Sequence, residues 1–471
     1  MSKKWFWLAL AAGVVLIITL AARLHAGHQA WRTYQQAYFL ANGQPRARLV
    51  PRAITPGNSG QPEYCLTCHL GLEEISSSHP VEVFGCVACH GGDGLALDEA
   101  RAHAGLRGGK NPSDLQTVRA GCGQGGCHAG YDQAEHNHID SVERSLQATY
   151  ASGIALLRYA FGAQPDAEPH YGVRTVSDGR RALRELPVSQ PQDLTPALAA
   201  RGVAVSGHPI DSQFRAGCLE GGCHLWTEPA PAPYRYRSTG CAACHVLYDD
   251  DGLYKGADPT IPKDEPGHAR AHRLTTAIPF SQCNHCHNRG NYSLRSMTFT
   301  PRADLPPLGP AISPIMPAEG KRLKEYYQPI GRFTRCEWEL DCIDCHTRNE
   351  AMGDGRIAGA VVEAQRVRCQ TCHGDTEGGP SGVELTTEDA QALRQARLNP
   401  HIQRRVGDRV LLAPTGEKMY GVRQRADGQW ELTMKVSGKK LLIPLVYGSA
   451  CEQDPQEQHS SACHDCHAYQ R

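Results

Sequence analysis

FGCVACHGGDG, residues 84–94, holds the pattern on which the reading of the whole chain turns: Cys86, two residues, Cys89, and at once His90. Cys-x-x-Cys-His recurs at Cys65-Cys68-His69, Cys241-Cys244-His245, Cys283-Cys286-His287, Cys342-Cys345-His346, Cys369-Cys372-His373 and Cys463-Cys466-His467. A stretched form, Cys-x4-Cys-His, stands at Cys122-Cys127-His128 and Cys218-Cys223-His224. These nine copies use 18 of the 20 cysteines. Cys-x-x-Cys-His is the attachment signature of haem c. Two thioethers tether one porphyrin, and the adjacent histidine reaches the iron as an axial ligand. Zinc ribbons share the Cys-x-x-Cys step but do not require a histidine after every second cysteine. The stretched copies, VRAGCGQGGCH (118–128) and FRAGCLEGGCH (214–224), agree at eight of eleven positions. Their Gly-Gly before the second cysteine lets a longer loop bulge away from the ring.

The composition agrees with a cofactor-filled interior. Only 8 Phe and 6 Trp occur among 471 residues, against 48 Gly and 31 Pro, so side chains alone make a thin core. The expected fold class is a multihaem cytochrome c: mostly irregular loops and short α-helices wrapped around stacked haems, with a small antiparallel β meander near the C-terminus. The 49 basic and 49 acidic residues cancel. That balance argues against a nucleic-acid partner.

Outward from the motifs, the chain divides readily. Residues 1–24 carry an apolar run from Trp5 to Ala22 with no charge before Arg23. Eighteen such residues are enough to span a bilayer. The run exceeds the apolar core of a signal peptide, and no small-residue cleavage site follows. The expectation is a single-pass inner-membrane anchor. Lys3 and Lys4 would hold the N-terminus in the cytoplasm and leave the haem-bearing part in the periplasm. Trp31, Tyr34 and Tyr38 recur at helical spacing, as an interfacial continuation of that helix would. Residues 25–62 read as a stalk. Residues 63–162 form a first module with three motifs, ending in a helix from Asp140 to Gly162. Its apolar stripe is Val142, Leu146, Tyr150, Ile154, Leu157 and Phe161. Pro-interrupted residues 163–205 read as a linker, 206–299 as a second three-motif module, and 300–335 as a Pro-rich connection. Residues 336–400 form a third module with two motifs, in which Thr386 and Asp389 make a capping box. Turn-delimited runs in 401–450 predict the meander, and residues 451–471 hold the last site.

Nine of the 23 histidines serve as proximal ligands: His69, His90, His128, His224, His245, His287, His346, His373 and His467. His25 and His28 sit beside the anchor. Twelve others remain, enough to close every iron. The expected distal ligands are His79, His103, His138, His170, His208, His268, His272, His401 and His459, with His136 as alternate to His138. His285 and His464 lie inside motifs and would serve only a neighbour. Met297 or Met352 in place of a histidine would raise a potential. Two imidazoles per iron make an electron carrier, whereas substrate chemistry needs an open position. Cys336 and Cys451 are left over and are expected to pair as a disulfide. The rival, a very long Cys451–Cys463-His464 site, competes with the better CHDCH. YDDDG (248–252) reads as a solvated turn, with calcium as the alternative.

The stretches FGCVACHGGDG, GCAACHVLYDDDGLY, HRLTTAIPFSQCNHCHNRG and DCIDCHTRNEAMGDG, spread over residues 61–375, resemble membrane-anchored multihaem c-type cytochromes of respiratory bacteria. The resemblance implies covalent haem c, His/His ligation, and haems within electron-tunnelling distance. It also implies electron transfer from a membrane quinol-oxidising subunit to periplasmic or outer-membrane redox proteins, with lipid contact through the N-terminal helix. Rival readings are a reductase or oxidase of nitrite, hydroxylamine or a sulfur oxyanion with one open iron, and a polymerising filament.

Overall fold

The computed structural model describes residues 3–109, 111–130, 137–187, 208–215, 219, 224–226, 238–249, 251–265, 267–283, 286–293, 298–300, 327–329, 339–451, 463 and 467. Cys218, Cys223, Cys336, Cys466, His136, His285, His459, His464 and Met297 lie outside the described residues, as does most of the Pro-rich connection.

One helix, Lys3–Ala41, runs unbroken for 39 residues. Its second half docks. Trp31, Gln35 and Phe39 fall one per turn on one face and are buried. The Gln35 amide donates to the carbonyls of Val50 (2.7 Å) and Thr67 (3.1 Å) and accepts from the Val50 N–H (3.1 Å). Tyr38 lies across Gly71, where the backbone has φ +87° and a Cβ would overlap the tyrosine ring. The apolar first half stays exposed, from Trp7 to Leu20. Among the described residues no helix is long and apolar enough to cross a membrane. The expected anchor at 1–24 is therefore corrected, together with the inner-membrane and periplasmic placement and the lipid contact built on it. The physical reason is continuity. The apolar run passes without a break, within the same helix, into a polar stretch bearing Arg23, His25, His28 and Arg32.

Among the described residues the motifs fold as single turns. In the short form the histidine N–H donates to the carbonyl of the first cysteine, as in His90 to Cys86 (2.9 Å), His287 to Cys283 (2.9 Å) and His346 to Cys342 (2.8 Å). That closure puts both thiols and the imidazole on one short turn. The stretched motif keeps it: His128 N donates to Cys122 O at 3.2 Å. Its two extra residues are taken up where Gly125 enters the left-handed region at φ 65°.

Polar stitches join one turn to the next. Ser113 accepts from Cys241 N through its carbonyl (3.2 Å) and from Ala242 N through its hydroxyl (2.9 Å). Gln282 donates to the carbonyls of Ala243 (2.6 Å) and Val246 (3.1 Å). Asp341 accepts from Phe280 N at 2.7 Å. A small core of Leu115, Val118, Ile139, Val142, Ala148, Leu225 and Ala243 lies between the third and fifth motifs.

The helix expected over Asp140–Gly162 is three pieces: His138–Arg144, Leu146–Thr149 and Ala151–Ala160. Ser145 leaves the helical region at ψ 157° and its hydroxyl caps Ala148 N, while Tyr150 takes a left-handed φ of 55°. The first piece is capped by Asn137. The stripe breaks accordingly: Val142 and Ile154 are buried, and Phe161 is exposed. Within the expected linker, β1 (Tyr171–Gly172), β2 (Val176–Ser177) and β3 (Ala182–Glu185) form a small sheet in the order β1-β3-β2. Three more strands, β4 (Asn288–Ser293), β5 (Thr298–Thr300) and β6 (Tyr327–Pro329), pair antiparallel in the order β5-β4-β6.

The largest sheet is antiparallel and five-stranded, ordered β11-β10-β9-β8-β7. It contains β7 (Gly382–Glu384), β8 (Arg409–Leu412), β9 (Lys418–Gln424), β10 (Trp430–Thr433) and β11 (Lys440–Leu442). Leu411, Ala413, Met419, Val422, Trp430 and Leu432 form its core, packed against Leu340, Val367 and Cys372. Its fastenings fall on two motifs. Lys435 Nζ donates to the Ile343 carbonyl, and Lys435 N to Asp344 Oδ1 at 2.8 Å. Val446 N donates to the His373 carbonyl at 2.9 Å.

Candidate functional site

Four pairs of histidine rings face one another at a common spacing. Ring centroids are 6.1 Å apart for His69 and His103, 6.0 Å for His90 and His272, 6.1 Å for His79 and His128, and 5.7 Å for His128 and His138. Each pair joins a motif histidine to a histidine expected as distal. A metal–imidazole bond is about 2.0 Å. Two imidazoles on opposite sides of one iron therefore hold their centroids roughly 6 Å apart. His128 has two neighbours at this spacing, so His79 and His138 compete for one position. A cleft of about 400 Å³, lined by Ala30, Asp98, Glu99, Ala100 and His103, opens beside the first pair.

The other ring nitrogen is held in three of these histidines, His69, His79 and His272, and in three further motif histidines, His245, His346 and His373. Nδ1 of His69 donates to the buried Asp258 carboxylate (2.8 Å), and that of His346 to Glu350 (2.9 Å). Nδ1 of His245 donates to the Thr275 carbonyl (2.8 Å), of His373 to Pro444 (2.7 Å) and of His272 to Glu73 (3.0 Å). Nδ1 of His79 lies 3.0 Å from the Ser76 hydroxyl. A histidine that ligates a metal characteristically donates its second N–H in this way, which fixes the tautomer and leaves Nε2 for the metal. Burial works to lower the His69 pKa, but Asp258 overrides it and the value lies above the ordinary one. His90 is pushed down to about 4 by burial and then by His272.

The thiols also come together. Sixteen described cysteines, Cys451 among them, are in the reduced thiol form. Cys65 shares a hydrogen bond with Cys86, Cys283 with Cys342, and Cys369 with Cys463. Each pair joins the first cysteine of one motif to the first of the next. Cys122 is pushed up to about 11 by burial and then by Cys89. Cys241 is pushed up to about 12 by burial and then by Cys122. Cys244 in turn helps to raise Cys283. Motifs one, two, three, five, six and seven thus form one spatial line, and motifs eight and nine a pair.

Among the described residues, three metal-ligand atoms converge within 4.8 Å at Glu63, Cys65 and Cys86 alone. Glu63 is already engaged there, accepting from Cys86 N (2.6 Å) and Val87 N (3.2 Å). Four converging ligands, as a zinc knuckle requires, are not assembled around it. Thiol pairs, facing imidazoles and held Nδ1 atoms fit c-type haem instead.

Other expected residues are placed differently. His170 is exposed and turns Nε2 toward Asp166 (3.2 Å). His224 turns Nε2 to the Leu219 carbonyl (2.7 Å). His208 caps the helix Pro209–Phe214, accepting from Ile210 N at 3.3 Å. His268 sits half-buried in a loop, its backbone N–H on Gly252 O. His401 lies under Gly438, where a Cβ would press on its ring. Met352 packs against the core between the third and fifth motifs. In YDDDG, Asp251 pairs with Lys255 (2.6 Å) and Asp249 with Arg270 (3.8 Å).

Sequence reasoning missed the supporting shell. Glu350 stands four residues after His346 but on a separate turn, Arg348–Met352, beyond the extended residues His346 and Thr347, so helical spacing gave no signal for it. Asp258 is 189 residues from His69 and gave none either. A chain of contacts then leads onward from Asp258. Its N–H donates to the Tyr254 hydroxyl (3.2 Å), which donates to the Glu73 carboxylate (3.0 Å), and that carboxylate accepts from His272 N (3.1 Å).

No protein-family model, no curated protein and no solved structure matches this chain.

Proposed function

We propose that this chain binds a c-type haem at each of its nine motifs and relays electrons singly between protein redox partners. The observation that carries the reading is the set of facing imidazoles about 6 Å apart, each joining a motif histidine to one from a distant or intervening segment. When bound, the haem supplies a one-electron iron couple. The residues do the rest. The paired cysteines of a motif would tether the ring, and the motif histidine would ligate it together with His103 at motif one, His272 at motif two, and His79 or His138 at motif three. Closed irons favour electron transfer over substrate turnover, because no position is left for a substrate. The line of thiols supports a route through motifs one, two, three, five, six and seven. Haems held at neighbouring attachment points would be placed for electron exchange without further cofactors.

The test is a redox-titrated EPR spectrum of the purified protein, beside its intact mass. The expected result is a mass increment of nine haems and low-spin signals throughout. A mass without haem would overturn the proposal. A high-spin component with turnover of nitrite, hydroxylamine or a sulfur oxyanion would replace the carrier with an enzyme.

A further inference from the structure

We propose that the buried carboxylates of Asp258 and Glu350 make the irons of motifs one and seven the low-potential positions of the relay; this rests on the haem reading above. Of the four motif histidines His69, His245, His346 and His373, whose Nδ1 partners are described, His69 and His346 face an anion. His69 donates to Asp258 and His346 to Glu350, whereas His245 and His373 donate to the neutral carbonyls of Thr275 and Pro444. The side chains of Asp258 and Glu350 are 0% and 2% exposed. Among the described residues each forms its ion pair with the histidine and with no lysine or arginine.

The geometry of both carboxylates is fixed from behind. Asp258 Oδ1 accepts from Thr260 N and from the Thr260 hydroxyl, both at 2.8 Å. Glu350 Oε1 accepts from Val367 N (2.6 Å) and from Arg366 N. One oxygen is thus locked by the backbone and the other is aimed at Nδ1. An anionic acceptor draws the Nδ1 proton toward itself and makes the imidazole a more basic, more electron-donating ligand. Such a ligand favours ferric over ferrous iron, and an unscreened negative charge in a low-dielectric site adds to the same preference. A neutral carbonyl does both more weakly. Asp258 and Glu350 act through histidine and are therefore positioning and tuning residues.

The experiment is a spectroelectrochemical titration of the full haem-loaded chain as wild type, D258N, D258E, E350Q and T260A. Asn and Gln keep an acceptor oxygen for Nδ1 but remove the charge. In D258N and in E350Q one component of the titration, a different one in each, is expected to move from the low end to higher potential while the others stay. D258E, which keeps the charge, is expected to stay nearer wild type, as is T260A, which removes the Thr260 hydroxyl from Asp258 Oδ1 and from its 3.0 Å contact with His69 Nδ1 but keeps the charge. Should D258N lose its haem, E350Q carries the test by itself. Nine haems by mass with D258N and E350Q curves superimposed on wild type would overturn this inference and leave the relay standing. A wild-type mass without haem would overturn both.

Discussion

The rings of His90 and His272 lie 6.0 Å apart, and Nδ1 of His272 is held by the Glu73 carbonyl at 3.0 Å. That leaves Nε2 of His272 for the iron opposite His90. H272A is therefore expected to convert one low-spin signal to high-spin in the oxidised protein. H272M is expected to keep that iron low-spin and to raise its potential, as thioether ligation does. An unchanged EPR spectrum in H272A would remove His272 from the ligand set.

His128 has two imidazoles within reach, His79 at 6.1 Å and His138 at 5.7 Å. The His79 ring is the nearer to parallel with His128, at 25°, and its Nδ1 is anchored at Ser76. H79A is expected to open this iron and H138A to leave it closed. Carbon monoxide binding to the reduced variants reads the difference directly. Binding in H138A with none in H79A would reverse the assignment.

Gln35 is fully buried and joins the N-terminal helix to Val50 and Thr67 by three hydrogen bonds. In Q35A the two carbonyls and the Val50 N–H lose these partners in a buried site. Each unsatisfied group costs about 1–3 kcal/mol. A lower urea midpoint is expected, with unchanged absorbance of the haem-loaded protein. Equal midpoints would show that the helix docks without this contact.

Trp430 is buried in the five-stranded sheet and covers Gly382 of β7, where a Cβ would overlap the indole. W430A is expected to cost about 3–5 kcal/mol, as for other large aromatic truncations. The loss should be felt at the eighth motif, because His373 donates to Pro444 just beyond β11. Hydrogen exchange would rise in residues 367–375 as well as in the sheet. Exchange confined to the sheet would disprove this coupling.

Asp178 accepts from the N–H groups of Arg180 (2.8 Å), Arg181 (2.6 Å) and Ile357 (2.7 Å). Partial burial works to raise its pKa, but these bonds hold it below the ordinary carboxylate value. A depressed folded pKa gives stability that is present above the unfolded value and is lost as pH falls through the folded one. The acid limb of a stability–pH curve is expected to be shallower in D178N. Parallel limbs would rule out this carboxylate.

The motif turns were legible because both cysteines and the histidine lie within one helical turn, closed by a single backbone bond. The runs between 408 and 447 were legible through their turn residues, and they fall on four strands of the five-stranded sheet. β7 was not, since three residues ending in Glu384 carry no alternation to read. The broken helix at 138–160 escaped notice because Ser145 and Tyr150 are unremarkable in a helical pattern. Their exit is dictated by packing that propensity does not encode. The N-terminal stretch misled for a related reason. The continuation of the helix through Trp31, Tyr34 and Tyr38 read as interfacial, whereas Trp31 forms a docking face with Gln35 and Phe39. Asp258 was invisible because its link to His69 exists only once the chain has folded.

Glu73 holds the His272 ring through its carbonyl and, through its carboxylate and Tyr254, reaches the backbone of Asp258. The proposed haem positions of motifs one and two, through Asp258 and His272, thus lean on one side chain. A lesion at Glu73 would disturb both rungs at once. The reverse also holds: neither centre can be re-engineered as an independent unit while that shared strut stands.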